Sequence, residues 1–188
     1  MVRMTRRVVV ALLAVGFAAA ASTAADDATL KVKVGDKFPT VPLHAAQIEK
    51  AIHEKKSSDT ISIADLKGKT VVVFFYPKAL TKGCTVESCG FRDLAEKFPK
   101  DVVLLGASAD GDELQNKFIK ENKLPYALLC DTDMKLISEL GIKSNPTAKT
   151  PKRITFVVDK EGKIAKIYEK VDVTKHPEEV LKFVSDTK

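Results

Sequence analysis

From Thr70 to Tyr76 the chain is one apolar run of β-branched and aromatic residues, which predicts a central strand buried on both faces. The period then changes. Phe91, Leu94, Ala95 and Phe98 recur at helical spacing, so Cys84 to Phe98 reads as a helix that Pro99 stops. The alternation continues with a strand over Val102 to Ala107 and a helix over Asp112 to Asn122, its Leu114, Phe118 and Ile119 turned inward. A third strand follows over Tyr126 to Cys130. Asp133 is placed to cap a short helix reaching Leu140, which Gly141 ends. Ile154 to Asp159 and Lys163 to Tyr168 predict a hairpin around Lys160-Glu161-Gly162, and Pro177 opens a last helix over Glu178 to Ser185. The order β-α-β-α-β-α-β-β-α predicts an α/β fold with helices on both faces of a central sheet, and the closing hairpin makes that sheet mixed.

Two N-terminal stretches stand outside this alternation. His44 to Ser58 is polar, with Ala45, Ile48, Ala51 and Ile52 at helical spacing, and predicts a surface helix. Before it, Asp26 to Lys37 reads as a mobile or edge segment leading into Phe38-Pro39-Thr40-Val41-Pro42-Leu43. At the start, Arg3, Arg6 and Arg7 precede the uncharged, mostly apolar stretch Val8 to Ala21, and small residues follow. This is the pattern of a secretory signal peptide over residues 1–24, leaving a single domain over residues 25–188. The apolar stretch is shorter than the ~20 residues of a spanning helix. The expectation is a secreted, periplasmic protein with no stable membrane association after cleavage.

Charge adds little once that leader is set aside. The formal net charge of +6 includes its three arginines, and the remainder carries 28 basic against 25 acidic residues. Lysines and acids are interspersed, with no basic block of the kind nucleic-acid binding needs. His44, His53 and His176 are scattered, and the three cysteines lack zinc spacing, so no metal is expected. No Gly-rich phosphate loop points to a nucleotide cofactor, and none is expected.

The chemistry concentrates where the apolar run ends. Pro77 and Gly83 mark a turn, and Cys84 falls where the next helix begins. Helix N-termini offer unpaired N–H groups and partial positive charge, which favour the reactive thiolate. An ordinary thiol is only a few per cent ionised at neutral pH. Cys89 follows five positions later. Cys130 closes an apolar strand and reads as a small buried hydrophobe.

Pro77-x-x-x-Thr81-x-x-Cys84 resembles the peroxiredoxin active-site signature. The fuller string through Gly83-Cys84-Thr85-Val86-Glu87 to Cys89-Gly90-Phe91-Arg92-Asp93 is similar to the bacterioferritin-comigratory, or peroxiredoxin Q, branch. The likeness runs from about Val34 to about Val184. It takes in Leu128-Leu129-Cys130-Asp131 and the block from Arg153 to Ile164; Lys82 stands where the branch often has proline. The resemblance implies a thioredoxin-like fold and a thiol peroxidase acting on hydrogen peroxide and organic hydroperoxides; a monomer is expected. It implies Cys84 as the peroxidatic cysteine, Cys89 as the resolving one, and thioredoxin or a thioredoxin-like donor as reductant. It supplies Arg153 as the fixed cation, Thr81 as a hydroxyl for the peroxide, and Pro77 as a shield of the thiolate. Glu87 and Arg92 are then placed to pair with each other or with Arg153, or to remain surface charges. Residues five apart on an intact helix lie about 7.5 Å apart along the axis and about 140° apart in azimuth. A Cys84–Cys89 disulfide therefore requires the helix start to unwind, with Gly83 and Gly90 easing the opening.

Two other functions fit the fold class. A thiol–disulfide oxidoreductase is disfavoured by the missing Cys-x-x-Cys. A non-catalytic module using His44 to Ser58 as a contact surface is disfavoured by the retained Pro77, Thr81, Cys84 and Arg153.

Overall fold

Val71, Val73 and Phe75 point into one apolar layer and Val72, Phe74 and Tyr76 into another, so alternate residues of one strand serve two cores. The protein, described here as a computed structural model, covers residues 29–56 and 58–187. The predicted leader lies outside them. The strands are β1 (Leu43–Ala46), β2 (Thr60–Ile61), β3 (Thr70–Phe75), β4 (Val102–Ser108), β5 (Ala127–Cys130), β6 (Ile154–Val158) and β7 (Ile164–Tyr168). They form a seven-stranded sheet in the order β2-β1-β5-β4-β3-β6-β7. Strands β3, β4 and β5 run parallel; β6 is antiparallel to β3, β7 to β6 and β1 to β5. This is the mixed sheet that the alternation predicts.

The helices are α1 (Lys82–Leu94), α2 (Asp112–Asn122), α3 (Lys135–Leu140) and α4 (His176–Asp186). Phe91 of α1, Phe118 of α2 and Val180 of α4 pack on the face that holds Phe74, while Leu136, Ile137 and Leu140 of α3 pack on the other. Phe74 stacks on Phe91 with centroids 4.5 Å apart and meets Tyr126 edge-on at 5.6 Å, fixing α1 over the centre of the sheet. The hairpin turn is as predicted: Gly162 has φ 81, and the Asp159 carboxylate accepts from the N–H groups of Glu161 and Lys163.

Three local expectations are corrected. The described residues of His44 to Ser58 contain no surface helix beyond a single 3₁₀ turn. His44, Ala45 and Ala46 belong to β1, in register with Cys130, Leu129 and Leu128, and Ile48–Lys50 makes that turn. Ile48 is fully buried, and the Gln47 side chain donates to the carbonyls of Leu124 and Tyr126. The apolar residues at helical spacing reach the core from a bent chain whose backbone bonds go to β5. Asp131, not Asp133, caps α3: its carboxylate accepts from the N–H groups of Lys135 and Ile137, while Asp133 pairs with Lys135 at 3.2 Å. The first long helix begins two residues before Cys84 and gives way after Leu94 to a 3₁₀ turn over Ala95–Lys97.

Candidate active site

Strand β3 delivers the chain to a six-residue loop, and the loop delivers Cys84 to the first turn of α1. Thr81 is the N-cap, so Cys84 is the third helical residue, where backbone N–H groups lack intrahelical acceptors. Its side chain is buried. The antiparallel register pairs Phe75 with Ile154, so the next residue outward on β6's side, Arg153, arrives where β3 ends. Two positions 69 apart in sequence thereby meet: Arg153 Nη2 donates to Cys84 Sγ at 3.1 Å. Its Nη1 donates to Glu87, one turn beyond Cys84 on α1. One planar fork thus engages a sulfur and a carboxylate on the same helix face.

The surroundings set the charges. Burial pushes the Glu87 carboxyl up to about 7 against the opposing pull of Arg153. Burial also works against the Arg153 cation, but Glu87 and Cys84 outweigh it and raise its proton affinity. His176, at the first turn of α4, is fully buried; burial, then Arg153, lowers it to about 4 and keeps it neutral. Its Nε2 meets Thr155 Oγ1 at 2.8 Å, and its ring lies edge-on to Phe91 and Tyr168. It is the first residue of α4.

The remaining sequence candidates are distributed around this pair. Pro77 is half-buried on the loop, and Thr81 is exposed, its hydroxyl donating to the Lys78 carbonyl at 2.9 Å. Cys89 is half-buried, on the same helix as Cys84, but its sulfur faces the end of α2: Sγ lies 3.6 Å from Asn122 Oδ1. Arg92 Nη1 donates to Cys89 Sγ at 3.3 Å and to the Asn122 carbonyl at 2.9 Å. Cys84, Cys89 and Cys130 are all free thiols. Cys130 is buried beside Asp112, and burial reinforced by that carboxylate pushes its thiol up to about 12. That agrees with an inert structural cysteine.

Glu87 and Arg92 therefore separate: Glu87 joins Arg153, while Arg92 serves Cys89 and pairs with Asp93 at 2.8 Å. Helical spacing from each cysteine, three residues in both cases, is the signal that marks them. The arrangement can hold a sulfur anion against a permanent cation and a helix N-terminus, with a second sulfur one and a half turns away. Among the described residues no cluster of His, Cys, Asp and Glu has metal-binding geometry, and no helix is long and apolar enough to cross a membrane.

The profile of the AhpC/TSA family matches residues 34–167. Peroxiredoxin Bcp of Bacillus subtilis is 36% identical over 163 residues, covering 84% of this chain and 98% of that protein. Chloroplastic peroxiredoxin Q of Sedum lineare is 40% identical over 130 residues, covering 68% and 70%. The crystal structure of peroxidoxin BcpB from Mycobacterium tuberculosis superposes with a TM-score of 0.72 at 28% identity, over 84% of this chain and 99% of that one. The thioredoxin-like sheet, the buried cysteine at a helix start with arginine on its sulfur, and these relatives agree: the chain belongs to the AhpC/TSA family of peroxiredoxins, within its Bcp and peroxiredoxin Q branch.

Proposed function

We propose that this protein is a thioredoxin-dependent peroxidase for hydrogen peroxide and organic hydroperoxides. The observation that carries this reading is the 3.1 Å contact between Arg153 Nη2 and Cys84 Sγ at the start of α1. A guanidinium does not deprotonate at any working pH, so the thiolate keeps its partner. The thiolate attacks one peroxide oxygen, the O–O bond breaks, and the other oxygen leaves with the electron pair and takes up a proton as water or alcohol. Cys84 is left as sulfenic acid. Arg153 and the backbone N–H groups around Gly83 and Cys84 stabilise charge on the departing oxygen, Thr81 orients the peroxide, and Pro77 keeps water from the sulfur. Cys89 then attacks the Cys84 sulfur, releasing water and closing a disulfide. A dithiol donor of thioredoxin type reduces that disulfide and becomes oxidised in its place.

The basic, apolar and small-residue pattern of residues 1–24 supports export, with a monomeric domain of residues 25–188 working in the periplasm. The N-terminal sequence of protein recovered from a periplasmic fraction tests this, and an intact Met1 there refutes it.

Stopped-flow mixing of the reduced protein with hydrogen peroxide tests the chemistry. The parent should consume peroxide and turn over with thioredoxin. Cys84→Ser should consume none, because an alcohol supplies no comparable nucleophile. Cys89→Ser should form one equivalent of sulfenic acid and stop. Sustained peroxide consumption by Cys84→Ser overturns the assignment.

A further inference from the structure

The loop from Tyr76 to Thr81 places Cys84, and one bond from outside holds its middle. The N–H of Ala79 donates to Asp110 Oδ2 at 2.7 Å. Ala79 is buried, and the next residue, Leu80, has φ 62, in the left-handed region that a branched side chain rarely adopts. Such a conformation persists only where its surroundings impose it.

The acceptor is itself fixed by a directional chain of hydrogen bonds. Tyr76, the first residue after β3, donates its hydroxyl to Gln115 Oε1 at 2.6 Å. Gln115 Nε2 donates to Ser108 Oγ at 2.9 Å and to the Leu129 carbonyl at 3.2 Å. Ser108 donates its hydroxyl to Asp110 Oδ2 at 2.9 Å and accepts from the Asp110 N–H at 3.1 Å. Tyr76, Gln115 and Ser108 are fully buried, and each donor has its acceptor. Satisfied buried networks of this kind specify one geometry. The chain draws on the loop residue after β3, on β4, on β5 and on α2, and ends on the carboxylate that grips the loop.

We propose that Asp110 is a positioning residue for the reaction of Cys84 with peroxide. It touches no reacting atom. Through Ala79 it holds the Pro77–Thr81 loop in the strained form that presents Pro77, Thr81 and the first turn of α1 together, with Tyr76, Gln115 and Ser108 orienting its carboxylate. The proposal rests on the peroxidase reading for its kinetic consequence and on the loop geometry for its structural one. Disulfide closure needs the helix start to open, so that step gains nothing from the anchor.

Asp110→Ala and Asp110→Asn test it. The amide oxygen of Asn can still accept from both Ala79 and Ser108, so that variant keeps the bonds and loses only the charge. In stopped-flow experiments Asp110→Ala should slow sulfenic acid formation by about ten- to a hundred-fold, the range a small misplacement produces. Its subsequent disulfide closure should be as fast as in the parent or faster. Asp110→Asn should oxidise within about threefold of the parent, since only charge assistance is lost. Amide exchange of the reduced protein provides a readout independent of activity: Ala79 protection should be lost in Asp110→Ala and kept in Asp110→Asn. Unchanged oxidation in Asp110→Ala, equal slowing of both steps, or an Asn variant as slow as the Ala variant overturns the proposal. Should the parent consume no peroxide, the peroxidase reading fails, and retained Ala79 protection in Asp110→Ala still overturns the anchor.

Discussion

Cys84 and Cys89 share one unbroken helix but turn their sulfurs to different elements, Cys84 to Arg153 ahead of β6 and Cys89 to Asn122 at the end of α2. No rotamer change on an intact helix brings them together, because their Cα positions exceed the ~7 Å reach of a disulfide. Closure must undo the first turns of α1. It also works against the Arg92 bonds to Cys89 and Asn122 and the 2.7 Å bond from the Tyr126 hydroxyl to the Ser88 carbonyl. The oxidised protein is therefore expected to lose amide protection between about Cys84 and Phe91, while the reduced protein keeps it. Hydrogen exchange on both redox forms checks this; equal protection in a verified Cys84–Cys89 disulfide contradicts it.

Gly90 faces Pro177 at the crossing of α1 and α4. A Cβ at Gly90 would stand 2.7 Å from the Pro177 Cγ, and a pyrrolidine ring cannot swing aside. The glycine is thus explained by helix–helix approach as well as by ease of unwinding. Gly90→Ala gains about 1 kcal/mol of helix propensity but incurs about 1–3 kcal/mol of overpacking. Net destabilisation should lower the urea midpoint, and a midpoint at or above the parent's would show that the α1–α4 crossing has room for a methyl group.

Arg153→Lys should oxidise at least tenfold more slowly although the charge is kept. An ammonium is a point donor and cannot place two fixed N–H groups on Cys84 and Glu87 at once. Stopped-flow oxidation rates decide this, and a rate equal to the parent's removes the fork from the argument.

Glu87 and His176 should impose opposite pH slopes on stability. The native Glu87 carboxyl, raised from 4.5 to about 7, holds a proton that the unfolded chain releases. Its stabilising contribution is complete below about pH 4.5 and is lost as pH rises through 7. Native His176, lowered from 6.5 to about 4, refuses a proton that the unfolded chain binds. Its contribution is complete above about pH 6.5 and is lost as pH falls through 4. The two slopes oppose each other between about pH 4.5 and 6.5. Glu87→Gln should leave stability rising with pH across that window, and His176→Gln should leave it falling, each by at most about 1.4 kcal/mol per pH unit. Urea unfolding at three pH values reads the slopes; a flat profile in Glu87→Gln contradicts the account.

Cys130 should stay out of the chemistry. In a Cys84→Ser, Cys89→Ser protein its thiol, pushed up to about 12 by burial and Asp112, should resist iodoacetamide at neutral pH until the chain unfolds. Mass spectrometry of folded and urea-treated samples checks this, and rapid labelling of the folded protein would mark Cys130 as reactive.

The parts legible in the sequence are those whose cause is local. A strand buried on both faces must be apolar at every position, so Val71 to Phe75 declares itself without knowledge of its neighbours. The turn after it and the helix periodicity place Cys84 at a helix start, and the spacing of the motif identifies the family. Where two local periods compete, tertiary partners decide. His44 to Ala46 has helical spacing around it but takes its backbone bonds from β5, more than 80 residues away in the chain. Glu87 and Arg92 look alike as charges on a helix. The antiparallel pairing of β6 with β3 brings Arg153 to one of them, and the end of α2 comes to the other. Asp110 gives no local sign of its hold on Ala79, because that contact exists only once β4 lies beside β3. Sequence periodicity records which faces are buried, whereas the partner of each charge depends on which strands are neighbours, and that is set by the chain as a whole.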